Sequence, residues 1–452
     1  MLQISKIYSN EIEDRIDAPF YQEKYINTIR KIKSKGIMVD NLGKYINSVS
    51  NGVEIRRYVY SGTPYLRVSD MKSIVVSLSD VKYIKETIND ISKNIKLKKD
   101  DVLISRSGTP GITSTVSMDI LNSVISSHII RVTTKKEYLH PHFLAVYLNS
   151  YPGRQQIDRI TNGCLVKEIS HGALDLIEIP ILPMKEQNAI ADLVENAKDK
   201  HIVSMKKIEE AQKIFEKTLA INHIDIKEEK CYKINSLDIN DTLTPKYYYP
   251  KYLNTIKILS EKFKTIKLGS IASIKRGNEV GSRNYHKYIG GENTYVPFIR
   301  TSDLVNYEID NYPDYYIEKE IYKTLDQKLR PEDIVYTKDG KIGLPAILTS
   351  EDKCILASGV VRIRINSKII NPYYVFLVLS TKIGYYQAMQ RVVIAATLPH
   401  LQQDRLCEIE IPVVGPEIED NISQLVKEAF KLKTEKKKLV KEALLCVEEL
   451  LK

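Results

Sequence analysis

Two stretches of this chain carry apolar residues at intervals of three and four. In the first these are Ile190, Leu193, Val194, Ala197, Met205, Ile208, Ala211, Phe215 and Leu219. In the second they are Ile422, Leu425, Val426, Ala429, Leu432, Leu439, Ala443, Val447 and Leu450. That period draws one apolar stripe down a helix, and the positions between are rich in Lys and Glu. The spacing predicts long helices from about Lys185 to Ile221 and from about Glu417 to Lys452, with Pro183 and Pro416 marking their starts. At about 1.5 Å per residue each spans roughly 54 Å. One helix cannot bury such a stripe alone. Antiparallel coiled-coil pairing of the two is the expected solution, and separate packing of each on its own domain is the alternative. The run Lys433-Thr434-Glu435-Lys436-Lys437-Lys438 reads as a solvated face.

Ahead of each helix the pattern changes to short β-branched runs between Gly, Asn and Asp turns. Val102–Ser105 and Ile129–Val132 are the best strands of the first half, and Ile334–Thr337 and Val360–Ile363 of the second. A short helix is expected after Pro141 and again after Pro372, since proline suits the first turn.

These paired features belong to an internal repeat. Arg15-Ile16-Asp17-Ala18-Pro19-Phe20-Tyr21 is similar to Thr242-Leu243-Thr244-Pro245-Lys246-Tyr247-Tyr248. Leu42-Gly43 returns as Leu268-Gly269. Pro64-Tyr65-Leu66-Arg67-Val68-Ser69-Asp70 returns as Pro297-Phe298-Ile299-Arg300-Thr301-Ser302-Asp303. Asp101 to Gly108 returns as Asp333 to Gly340, Ser127 and Arg131 as Ser358 and Arg362, and Glu178-Ile179-Pro180 as Glu410-Ile411-Pro412. The offset drifts only from 226 (269−43) to 233 (303−70), too long a period for a solenoid and too ordered for chance. The fold class is therefore α+β: two pseudo-symmetric β-rich domains joined and spaced by two long antiparallel coiled-coil helices. Expected boundaries are 1–181, 182–222, 223–412 and 413–452.

Composition narrows the partners. Lys plus Arg exceed Asp plus Glu by 67 to 57 over 452 residues, a net +10 that suits a polyanion. The five cysteines, Cys164, Cys231, Cys354, Cys407 and Cys446, lack zinc-ligand spacing, which argues against a metal site or a disulfide framework and fits a reduced cytoplasm. Met1 to Lys6 has no apolar signal-peptide core, and no apolar run reaches the roughly 18 residues of a membrane span.

On the repeated Leu-Gly, Pro-x-x-Arg-x-Ser-Asp, Gly108 and Gly111 with Gly340 and Gly343, Ile-Pro and long-helix words, the chain resembles the specificity subunit of type I restriction–modification systems. Leu182-Pro183-Met184-Lys185-Glu186-Gln187 is close to that family's helix opening. Gly415-Pro416-Glu417-Ile418-Glu419 departs from it, and Thr242 and Thr244 replace Arg15 and Asp17. The resemblance implies that each β-rich domain is a target-recognition domain reading one half of a split, asymmetric site in double-stranded DNA. The helices would be a ruler between half-sites and the docking surface for two adenine-methyltransferase subunits, through which two motor-nuclease subunits can join. The implied chain needs no cofactor of its own; S-adenosylmethionine, ATP and Mg would belong to the partners.

Competing chemistry finds little support. Asn371-Pro372-Tyr373-Tyr374 is near the Asn-Pro-Pro-Tyr word of aminomethyltransferases, but its counterpart His140-Pro141-His142-Phe143 lacks the Asn. An Asn cap before a helix-starting Pro explains it. Glu332-Asp333 with Lys338 could mimic a nuclease cluster, but Asp100-Asp101 with Arg106 repeats it, as turn and strand-end charges do. No Gly-rich cofactor loop or Walker phosphate loop is present. His128, His171 and His400 are scattered. A non-catalytic DNA reader is expected; the alternatives are the specificity subunit of a related two-subunit system cutting both sides of its site, or a coiled-coil scaffold without a DNA role.

Candidate DNA contacts come from polar, basic loops. In the first copy they are Asn51, Glu54, Arg56, Arg57, Tyr60, Arg67, Ser69, Arg106 and Ser107. In the second they are Lys275, Arg276, Asn278, Arg283, Asn284, Tyr285, His286, Lys287, Arg300, Lys338 and Lys341. Residues common to both copies cannot specify different half-sites, so Arg67 and Arg300 are assigned to phosphate contact or structural bonds. The unmatched loop from Arg276 to Asn293 is the better candidate for base readout.

Overall fold

The computed structural model describes the chain apart from residues 1–6, 10–11, 13–16, 73, 77, 79–80, 88–89, 91–94, 162–166, 221–230, 240–241, 280–294, 314, 326, 367, 369, 396–397 and 451–452. It divides into two compact units, residues 1–199 with 436–452, and residues 200–435.

Unit 1 is built on an antiparallel sheet of Ile46–Asn51, Ile129–Thr134, Val102–Ser105 and Thr113–Thr115, in that spatial order. The central strand Val102–Ser105 is buried along its whole length, which is why it reads as a continuous apolar run. A second sheet of Lys82–Ile84, Thr63–Leu66 and Val124–Ile125 adjoins it. The helix Pro141–Asn149 is buried almost all round, so its sequence is apolar on every face.

Unit 2 repeats this plan. Its sheet is Ala272–Arg276, Val360–Ile365, Ile334–Thr337 and Pro345–Ile347, with Tyr316–Glu318, Tyr295–Ile299 and Ile355–Leu356 as the second sheet and Pro372–Ser380 as the apolar helix. Register repeats as well: Leu103 pairs with Arg131, and Val335 with Arg362. A short strand pairs the start of each copy with the segment before its long helix, Val39–Asn41 with Glu178–Pro180 and Lys264–Lys267 with Glu410–Val413. Gly52 and Gly277 end the first strand of each sheet for one reason. A Cβ there would stand 1.9 Å from the Ile125 carbonyl oxygen or 2.2 Å from that of Ala357.

The long helices are Met184–Leu219 and Pro416–Leu450, and the boundary between units falls inside both. In unit 1, Ile190, Val194 and Ala197 share a core with Val440, Ala443, Leu444 and Val447. In unit 2, Ile208, Ala211, Phe215 and Leu219 share one with Ile422, Val426, Ala429 and Phe430. Each fully buried aliphatic side chain is worth about 1.5–3 kcal/mol. Lys200 pairs with Glu435 at 2.5 Å and Lys207 with Glu428 at 2.6 Å, so a step forward on one helix meets a step back on the other. The helices pair antiparallel, and the reading of two separately packed helices fails.

One expectation is corrected, and two elements are added. The lysine run is no solvated face: Lys433 is fully buried, and Lys436 and Lys437 nearly so. Two further helices, Glu23–Lys33 and Pro250–Lys262, follow the matched turns Ala18–Tyr21 and Pro245–Tyr248.

Candidate nucleic-acid interface

The tempting catalytic words resolve as structure. Asn371 Oδ1 accepts from the backbone N–H of Tyr373 at 3.0 Å, an N-cap, and His140 Nδ1 caps the matched helix from His142 N at 3.2 Å. Asp101 is buried, accepting from the Lys98 N–H and from Arg131 Nε. Asp333 is likewise buried, but its guanidinium is that of Arg364 at 2.6 Å, not of Arg362. The ion pair has moved two residues along the strand, keeping the same face.

The shared Arg-x-Ser-Asp word is a turn lock. Asp70 accepts from the Arg67 N–H at 2.8 Å and from its guanidinium at 2.9 Å, and Asp303 accepts from the Arg300 N–H at 2.8 Å. Both carboxylates are buried, and Arg67 and Arg300 make structural bonds to them. Ser69 Oγ lies 3.4 Å from Asp70 in the same turn.

At the end of the unit 1 sheet, several candidates converge with Glu168 and with His128 and His171, which the sequence left scattered. Arg106 pairs with Glu168 at 2.7 Å, Ser107 Oγ bonds His128 Nδ1 at 2.6 Å, and Asn51 Oδ1 bonds His171 Nε2 at 2.8 Å. Burial and the Arg106 charge push the His171 imidazole down. From Val53, which bridges Ser126, the chain leaves in an exposed loop. It carries Arg56, paired with Glu54 at 2.7 Å, then Arg57, then Tyr60 with 92% of its surface exposed.

In unit 2, Arg276 closes the first strand, with Lys275 beside it, and faces Glu279 at 3.6 Å. Asn278 Oδ1 accepts from Gln327 Nε2 at 2.5 Å. Lys338 is buried against Asp339 at 3.0 Å, while Lys341 is exposed on the same turn. His400 Nδ1 bonds Asp339 Oδ1. Arg283, Asn284, Tyr285, His286 and Lys287 lie outside the described residues.

Away from these tips, Asp100, His142 and Glu195 bring possible metal-ligand atoms within 4.8 Å of one another. Here Lys136 pairs with Asp100 at 2.9 Å, and His142 Nε2 hydrogen-bonds Glu195 at 2.5 Å, so each of these groups already has a protein partner. No helix among the described residues is long and apolar enough to cross a membrane.

A family model described as the type I restriction modification DNA specificity domain matches residues 6–213 and 260–442. That is most of the chain and both copies, and the chain belongs to this family. Among solved structures it is similar to a type I restriction-modification S subunit from M. genitalium, at 15% identity and TM-score 0.36, covering 92% of this chain and 96% of that one. It is also similar to the HsdS subunit from Thermoanaerobacter tengcongensis, at 13% identity and TM-score 0.29, covering 92% and 96%. The type IIG restriction endonuclease BpuSI is similar at 12% identity and TM-score 0.31, over 46% of this chain and 33% of that one. No curated protein matches significantly.

Proposed function

We propose that this chain is a non-catalytic reader of a split, asymmetric DNA site. Unit 1 takes one half-site, unit 2 the other, and the paired helices set the gap. The observation that carries this reading is one backbone frame used twice with unlike residues at its tip. Copies that share a scaffold and differ in exposed polar side chains are suited to reading two unrelated sequences from one geometry. An antiparallel helix pair suits a ruler, as spacing in dimeric DNA-binding proteins follows from what joins their halves. The helices also offer the docking surface for two adenine-methyltransferase subunits, with two motor-nuclease subunits joining through those. S-adenosylmethionine, ATP and Mg stay with these partners. On this reading the domain divisions near residues 181, 222 and 412 separate the two readers from the two helical spacers.

The test is to map methylated adenines in a genome carrying the chain and its methyltransferase. One heptad is then added to both helices, after Ile208 and opposite it at Lys427, as the Lys207–Glu428 pairing dictates. Seven residues lengthen a helix by about 10.5 Å, so the gap should grow by about three base pairs while both half-sites persist. Replacing residues 1 to about 181 with those of another specificity subunit should change one half only. A wild-type complex with no bipartite motif would sink the reading.

A further inference from the structure

The tip of each central sheet carries three positions that correspond in place and differ in chemistry. They are Arg106, Ser107 and Glu168 in unit 1, and Lys338, Asp339 and His400 in unit 2. The offset is 232 each time (338−106, 339−107, 400−168). The backbone around them matches bond by bond. Arg106 N donates to the His128 carbonyl at 2.8 Å and Lys338 N to that of Gly359 at 2.9 Å. Ile169 N donates to the Arg106 carbonyl at 3.0 Å and Leu401 N to that of Lys338 at 2.8 Å. Ser107 bridges Glu168, and Asp339 bridges His400, each antiparallel. Gly108 and Gly340 turn the chain at φ of 84° and 66°, and nothing lies within 4 Å of where a Cβ would stand. The frame is constant, so the side chains alone distinguish the tips.

What differs is where the acid sits. In unit 1 it is Glu168, spent on Arg106, and the tip residue is a serine held by His128. In unit 2 the acid occupies the tip itself. Lys338 Nζ lies 3.0 Å from both Asp339 oxygens, and His400 bonds Oδ1. His128 has become Gly359, so the unit 2 tip is held from the opposite side, by His400. The asymmetry leaves a direction. Asp339 keeps 31% of its side chain exposed, and its Oδ2 is engaged by Lys338 alone among the described residues. A carboxylate offers about four acceptor sites and no donor.

Resting on the reading that these tips face DNA, we infer that Ser107 and Asp339 are matched specificity-determining residues. Asp339 accepts a hydrogen bond from the exocyclic N4 amine of a cytosine in the half-site read by unit 2. An ionised carboxylate pairs with that amine and repels the keto oxygens that guanine and thymine present in the major groove. Lys338 and His400 fix its rotamer, and the Lys338 ammonium offsets the charge that would repel phosphates. The Ser107 hydroxyl both donates and accepts, so unit 1 carries no such restriction.

The experiment maps methylated adenines for the chain with its methyltransferase subunits, as wild type and as Asp339→Asn, Asp339→Ser and Ser107→Asp. With either Asp339 variant, the unit 1 half-site should stay intact. One position of the other half-site should lose roughly tenfold to a hundredfold of its discrimination, the size of a base contact. Ser107→Asp, which does not touch unit 2, should shift one position of the unit 1 half-site toward cytosine. Should the Asp339 variants fail to fold, that variant alone decides. A wild-type motif kept at full stringency by the folded variants would overturn the inference while leaving the bipartite reading intact. A wild type without a motif would overturn both.

Discussion

The Nζ of Lys433, on the second long helix, lies 2.8 Å from the carbonyl oxygen of Asn306, with none of its side chain exposed. Asn306 and Tyr307 join the strands Leu304–Val305 and Glu308–Ile309 at φ of 57° and 63°. Positive φ at both central residues is the turn that twists with a hairpin, but neither residue is glycine, and such conformations cost on the order of 1–3 kcal/mol each. The helix pair holds the turn in place. Gln212 Nε2 reaches Tyr307 Oη at 3.3 Å, and Lys433 also stands 3.9 Å from the buried Glu308 carboxylate.

Lys433→Met keeps the volume and removes the ammonium that holds the Asn306 carbonyl. Losing a buried hydrogen bond from a charged group costs about 1.5–3 kcal/mol. Unfolding of the full chain in urea should show a loss of this order in unit 2. Amide exchange at residues 304–309 should quicken first. Unchanged exchange there would mean that Lys433 does not hold the hairpin.

Lys433 also marks where the sequence was legible and where it was not. The interval from Ala429 and Phe430 to Lys433 places it on the stripe facing the other helix, yet its neighbours Lys436, Lys437 and Lys438 make the segment read as solvated. Charge and position disagreed, and position won because a backbone carbonyl waits there. The strands Val102–Ser105 and Ile334–Thr337 were fully legible, since burial on both faces leaves an unbroken apolar run. The helix Glu23–Lys33 was missed, although Tyr25, Ile26, Ile29 and Ile32 stand at helical spacing, because its short stripe precedes a strand-rich segment. The tip cluster was not. His128 and His171 meet Ser107 and Asn51 across strands, with no local spacing to announce it. Only the match of Glu168 to His400 between copies exposes the cluster.

His142 makes stability depend on pH. It is buried at the start of the apolar helix in unit 1, and Nε2 bonds Glu195. Burial, with the Lys198 charge beside it, outweighs Glu195 and holds the imidazole down at about 4, with His140 adding to the repulsion. Burial likewise pushes Lys198 down to about 8. An unfolded histidine binds its proton near 6.5, so between pH 6.5 and 4 the unfolded chain takes up a proton that the folded one refuses. Stability should be lost as pH drops from about 6.5 to about 4, by up to about 3 kcal/mol. His142→Gln should flatten the slope. For Lys198 the same logic gives stability that rises as pH climbs from about 8 toward 10.5. Urea midpoints measured in half-unit steps of pH check both; an acid slope surviving His142→Gln would assign it elsewhere.

Asn371 separates a cap from a catalytic asparagine. Its side chain satisfies the Tyr373 N–H at the start of the helix Pro372–Ser380. Asn371→Ala should cost about 1 kcal/mol, the usual value of an N-cap, and Asn371→Ser should restore most of it. Methylation by the assembled complex should proceed at the wild-type rate in both variants once folded. A rate collapse in Asn371→Ser, with stability retained, would revive the reading of a flipped-adenine site.

On the proposed reading, the exposed loop of unit 1 separates contacts that position from contacts that specify. Arg56 and Arg57 stand exposed at its surface, and Tyr60 crowns it. A phosphate contact releases a counterion, so Arg57→Ala should weaken binding to all sequences alike and reduce the slope of log K against log salt by about 0.9. Arg56, already paired with Glu54, should contribute less. Tyr60→Ala should leave the salt slope unchanged, because a ring carries no charge to release. If Tyr60 stacks on a base, the loss should be about 1–3 kcal/mol. Binding of the methyltransferase complex to site and non-site duplexes at several salt concentrations distinguishes these outcomes. An Arg57→Ala variant with the wild-type slope would take that residue off the DNA backbone.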